Sequence, residues 1–263
     1  MNEPRQLSRE ELSEVVDVVL HVGQTMLQAG AASFRTEETM AEIGLGLGAD
    51  RLDLYVTPTG IVATAVSGNE QRTRVGRVET LGVNMAQVVA FNKLSRHVSL
   101  IGATLPALRA EIAAIREKPR ELPNVVTILA VGIACAAFAQ ILGGGERESV
   151  SALAGAGVAQ WVRMVFNRAR VNVFAMTVIC AWIGSLLGWG VCSSVQCERP
   201  DLAVIASVLL LVPGVPLVTS VIDLTNYDLI SGVTRGTLAA LIALSIGVGV
   251  LLTLWITGLR IVP

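Results

Sequence analysis

Charge is scarce in this chain. Only 16% of its 263 residues are Asp, Glu, Lys or Arg, and the formal net charge is −1. That balance supplies no basic surface for nucleic acid. With 52% hydrophobic residues and a mean hydropathy of +0.63, the composition is too apolar for one ordinary soluble domain and points to a membrane protein. Histidine is nearly missing. His21 borders an apolar helical stripe and His97 falls at a helix end, so each reads as structural rather than catalytic. No G-x-S-x-G, H-E-x-x-H or Walker loop occurs. No nucleotide hydrolysis is therefore expected of this chain, nor a catalytic residue, cofactor or metal, and it does not read as an enzyme. Of the four cysteines, Cys135 and Cys180 lie inside apolar runs and read as small core residues. Cys192 and Cys197 share a polar loop, where they could pair if it faces an oxidising compartment. A Cys-x4-Cys without nearby histidines is a poor metal motif.

What charge there is lies at the front. Residues 1–122 hold 13 of the 20 Lys and Arg and 15 of the 21 Asp and Glu. The chain therefore reads as an α-helical polytopic membrane protein with a small α+β N-terminal cytosolic domain, the first covering 123–263 and the second 1–122. The polar start, MNEPRQLSREEL, lacks the apolar core of a secretory signal, which keeps the front domain in the cytosol.

Five apolar runs follow, at 125–142, 150–165, 171–192, 202–222 and 237–257. About 20 apolar residues cross a bilayer; the second run is the weakest, because Arg163 intrudes near its end and must snorkel or tilt the helix. Its stretch SALAGAGVAQW is dense in small residues, which lets helices approach closely. Basic residues alternate between connections. Arg109, Arg116, Lys118 and Arg120, then Arg163, Arg168 and Arg170, then Arg235 fall on one side; Arg147, Arg199 and Arg260 fall on the other. The positive-inside rule places the amino terminus inside and the carboxyl terminus outside, as five crossings require.

In the front part, Ser8 and Glu11 form a capping box ahead of Leu12, Val15, Val16, Val19, Val22 and Met26, a helical stripe that Gly30 ends. Ser33 is expected to cap a second helix, with Glu37 and Glu38 in its first turn and GLGLG at 44–48 as its C-terminal cap region. Alternation at Leu52, Leu54 and Val56 starts a three-stranded meander, with turns at TPTG and SGNE and further strands at 61–66 and 71–78. Arg72 and Arg74 would share one face of the third strand. Two helices, at 79–97 and 105–118, lead to the membrane.

Three separated segments, QAGAASFRTEETM, VTPTGI and LVPGVPLVTSVIDL, resemble the threonine/serine exporter family in the right order, over about residues 12–252. The resemblance implies a cytosolic domain joined to a membrane domain, in an inner-membrane exporter of threonine and serine or of succinate. At this length it implies the larger half of a split pair, working as a hetero-oligomer with a smaller integral membrane subunit. A membrane-anchored signalling or enzymatic front domain is the competing reading; a bare anchor needs neither five crossings nor a break in one of them.

That break is LLVPGVPLVTSVIDLTNYD. Proline removes a backbone donor and disrupts the preceding turn, and unpaired backbone survives within a membrane only beside protein or water. Pro213, Gly214 and Pro216 should split the fourth run, with a second half-helix starting near Pro216 and offering its positive end to a carboxylate. Thr219 and Ser220 add hydroxyls. Asp223, Asn226 and Asp228 could hold an ammonium group or relay a proton. A simple proline kink with interfacial acids is the alternative. A dicarboxylate would be repelled by ionised aspartates and would need Arg163, Arg168, Arg170 or Arg235 nearby.

Overall fold

The computed structural model describes residues 6–79, 82–117 and 122–259; Lys118, Arg120 and Arg260 of the charge pattern lie outside them. The packing divides the chain into two compact units. One comprises the described residues of Met1–Arg120 together with Val215–Thr237, and the other those of Glu121–Gly214 and Leu238–Pro263.

In the first unit, helix α1 (Arg9–Gln28) starts at the expected capping box: the Glu11 amide donates to Ser8 Oγ at 3.2 Å and the Ser8 amide to Glu11 Oε2 at 2.9 Å. All six residues of the expected stripe are buried. Gly30 ends the helix with φ +88°, and a Cβ there would lie 2.8 Å from the Gly82 carbonyl, so no side chain fits. Helix α2 (Ser33–Gly46) follows, closed by Gly48 at φ +96°. The antiparallel meander β1 (Arg51–Thr57), β2 (Gly60–Ser67) and β3 (Glu70–Arg77) pairs Val56 with Ile61, and Ile61 with Gly76. Arg74 pairs across to Asp17 of α1 at 3.2 Å, so the arginine face is partly neutralised within the unit.

Helix α3 (Met85–Ile101) starts six residues later than the sequence suggests. The Gly82 and Asn84 amides donate to the Gln28 and Ala29 carbonyls at 2.8 Å each, and the Asn84 side chain then caps the helix through the Gln87 amide. That turn finishes α1 instead of extending α3. Helix α4 spans Leu105–Glu117. Phe91, Leu12, Met26, Leu27, Met40 and Ile61 fill the core between helices and sheet.

The second unit is helical. Its elements are α5 (Asn124–Ile141), α6 (Glu146–Arg168), α7 (Val173–Ser194), α8 (Pro200–Val208), which runs into a 3-10 turn over Leu209–Leu211, and most of α10 (Leu229–Thr257). Among the described residues, α5, α7 and α10 are long and apolar enough to cross a membrane. A fourth crossing is present if α8 and α9 (Gly214–Thr225) form one broken span. Helix α6 is 23 residues long but carries five charged residues.

Small residues line the packed faces here. Ser151, Ala152, Gly155, Ala156 and Ala159 of α6 are buried, and a Cβ on Gly155 would lie 2.5 Å from the Gly184 carbonyl of α7. Cys192 and Cys197 form a disulfide. The buried Glu148 carboxylate fastens the loop they close, accepting from the Glu198 and Arg199 amides at 3.0 Å each and from Gly145 at 2.9 Å.

Candidate functional site: the broken fourth run

The interruption falls where the prolines place it. Helical structure ends at Leu211, Val212 and Pro213 are non-helical, and α9 begins at Gly214. Without an N–H, Pro213 cannot serve the Leu210 carbonyl, and the Gly214 amide turns to Val212 at 2.8 Å. The Arg163 guanidinium, 3.5 Å from the Leu210 oxygen, is the partner left for it. The intruding arginine of the second run thus faces opened backbone. Pro213 and Gly214 belong to the second unit, and Pro216 lies in the first turn of α9, where proline is tolerated.

Thr219, Ser220 and Asp223 are buried on α9, within the first unit. The Thr219 hydroxyl donates to the Val215 carbonyl at 2.8 Å, and the Ser220 hydroxyl crosses to the Gly232 carbonyl of α10 at 2.7 Å. Asp223 is fully buried, and Oδ1 accepts the Ser33 amide at 2.9 Å. Ser33 is therefore not the cap of α2. Ala32 holds that position with no side-chain bond, and a carboxylate 190 residues away takes the free amide at the positive helix end. The hydroxyl of Ser33 also reaches Asp223 Oδ2, at 3.4 Å.

Arg235 of α10 completes the cluster. It is 3% exposed, with Nε 3.1 Å from Asp223 Oδ2, Nη2 donating to the Ala31 carbonyl at 2.7 Å and Nη1 3.4 Å from Thr219 Oγ1. Nearby, both backbone groups of Val56 are engaged. Its amide donates to Glu37 at 3.1 Å, and its carbonyl accepts from Ser231 of α10 at 3.3 Å. Burial raises the Glu37 carboxyl above its ordinary pKa; the Val56 amide opposes that, and the charges of Asp228 and Asp223 add to it.

Among the described residues, the side chains of Asn226 and Asp228 make no hydrogen bond into this network, although the charge of Asp228 reaches Glu37. Asn226 is exposed, and its amide group donates to the Ile222 carbonyl at the end of α9. Asp228 is half-buried in the connection to α10 and its carboxyl is raised by that burial. The structure thus joins Thr219, Ser220 and Asp223 to three groups outside the expected site: Arg235, Ser33 and the Ala31 carbonyl. The sequence offers Arg235 only as one of four arginines that a dicarboxylate would need; a guanidinium in an otherwise apolar helix is a general sign of a functional position and favours it. Nothing local marks Ser33.

Long apolar helices packed through small residues, with one apolar run broken at prolines, define a polytopic membrane protein. Residues 17–257 match the family described as "Putative threonine/serine exporter" (ThrE), and the chain belongs to that family. It is 27% identical over 97% of its length to the "Probable succinate transporter subunit YjjP" of Klebsiella aerogenes and 28% identical over 97% to the protein of that name in Escherichia coli. These alignments cover 98% and 99% of the two relatives. It is also 21% identical over 92% of its length to the "Probable threonine/serine exporter" of Mycobacterium tuberculosis, covering 46% of that longer protein. No solved structure matches it.

Proposed function

We propose that this chain is one subunit of an inner-membrane exporter of small carboxylate metabolites, working with a smaller membrane partner and driven by the proton motive force. The observation that carries this reading is the buried Asp223–Arg235 pair, which follows directly on a proline break in a member of an exporter family. Broken helices gather unpaired backbone and charge where transporters bind cargo. Pro213, Gly214, Pro216, Thr219, Ser220, Asp223, Asn226 and Asp228 line the route, with the hydroxyls and acids offering hydrogen bonds and a proton site. Full-length similarity to proteins named as succinate transporter subunits favours a split assembly and a dicarboxylate. The hydroxy-amino-acid alternative is favoured by the family description.

Residues 1–122 are cytosolic, 123–263 carry five crossings, and the termini lie inside and outside respectively. The Cys192–Cys197 disulfide supports this orientation. Disulfides persist in oxidising compartments, and Glu148 ties that loop to the α5–α6 turn, so both connections share the basic-poor side. Cells lacking this chain should accumulate succinate or threonine and release it more slowly, and an uncoupler should slow release from wild-type cells. Unchanged pools and release rates for both metabolites would refute the assignment.

A further inference from the structure

Resting on the exporter reading, we propose that Arg235 is the receptor for the cargo's carboxylate, and that Asp223 is an internal carboxylate occupying it between transport events. A guanidinium presents five N–H donors in a planar fork that fits a carboxylate two-pronged. Arg235 is buried, yet the fork is poorly used. Nη2 is well satisfied by Ala31, and Nη1 reaches Thr219 only at 3.4 Å. Nε lies 3.1 Å from Asp223 Oδ2, but its N–H has no aligned acceptor. A pair built only for stability would not leave a buried cationic donor unaligned, because that costs more than the hydrogen bond itself gains.

Asp223 is held from elsewhere. Its best hydrogen bond comes from the Ser33 amide, at the positive end of α2. A cargo carboxylate arriving at the Nε–Nη edge can therefore take the fork while Asp223 stays compensated by Ser33. Exchange of one carboxylate for another preserves charge balance around Arg235. The dicarboxylate then meets a guanidinium at the site, while the released Asp223 carboxylate keeps the Ser33 amide and hydroxyl as donors. The shared requirement is one carboxylate on a small molecule, which succinate and threonine both meet. Ser33 and Ala31 are positioning residues, and through them the front of the chain forms part of the cargo site.

The test uses the full chain with its partner, following efflux of labelled succinate and labelled threonine in parallel. Arg235→Lys should raise KM at least tenfold for whichever compound is exported. Asp223→Asn, which removes the competing carboxylate, should lower KM and slow turnover. The double variant Asp223→Asn/Arg235→Gln removes both charges; it should restore the wild-type unfolding midpoint without restoring efflux. A KM within twofold of wild type in Arg235→Lys, or wild-type efflux from the double variant, would overturn the proposal. Should Arg235→Lys not fold, the double variant decides alone. If wild-type protein exports neither compound, the exporter reading itself fails.

Discussion

The two units bury opposite kinds of residue. Around the sheet the interior is Phe91, Leu12, Met26, Met40, Ile43 and Ile61, as water demands. In the second unit the interior is largely Gly155, Gly184, Ala139, Ala152, Ala156, Ala159, Cys180 and Ala203, while Val125, Leu129, Ile133, Leu244, Leu251 and Trp255 are turned outward. The second unit thus follows the packing rule of a membrane protein. Lipid is as apolar as leucine, so burying large side chains gains little there, and close backbone approach takes over as the source of cohesion.

Overfilling the second unit should do the most damage. Gly155→Leu drives a side chain into Ser207 Oγ and the Gly184 carbonyl; the hydroxyl can turn aside, but the carbonyl belongs to helix backbone. Overpacking ordinarily costs about 1–3 kcal/mol and occasionally more; because helix backbone must move here, the loss should exceed that of any truncation, and detergent-solubilised protein should show little folded material by size exclusion. Recovery of a wild-type profile would show that these helices are loosely packed. Next in size is a matched pair of truncations. Phe91→Ala should cost about 3–5 kcal/mol, as a large cavity in a water-driven core does. Leu244→Ala, at a residue 66% exposed, should shift stability by less than about 0.5 kcal/mol in bicelles. A large loss at Leu244 would mean that protein, not lipid, covers that face.

Most of the first unit was legible because its signals are local. The Ser8–Glu11 box, the stripe from Leu12 to Met26, the alternation at Leu52, Leu54 and Val56 that starts the meander, and the Gly48 cap each depend on neighbours a few residues away. The break at Val212–Pro213 was legible for the same reason. The late start of α3 was not, because the Gly82 and Asn84 amides are claimed by the end of α1, more than fifty residues back. Nor was the core of the site. Asp223 meets Ser33 and Arg235 meets Ala31 across about two hundred residues, and no periodicity or spacing encodes such a meeting. Arg235 is one of four candidate arginines in the sequence; only the fold selects it and brings Ser33 to Asp223.

The smallest expected effect belongs to His21 of α1. Arg116 Nη1 lies 2.7 Å from His21 Nε2. A guanidinium can only donate, so Nε2 must accept and the ring is neutral with its proton on Nδ1. Burial, and then the positive charge of Arg116, hold His21 below its ordinary pKa of 6.5. The unfolded chain therefore binds this proton more readily than the folded one. The His21 contribution is complete above pH 6.5 and is lost as the pH falls through the lowered value. Glu37, raised by burial, works in the opposite sense: its contribution is present below its ordinary value and lost as the pH rises. A bare pH profile would mix the two, so the test is a difference. His21→Gln keeps an acceptor for Arg116 but cannot titrate. The unfolding midpoint of wild type should fall relative to that variant between pH 7.5 and 5.5. Parallel curves would mean that His21 changes its charge equally in both states, and that its contact with Arg116 does not persist in solution.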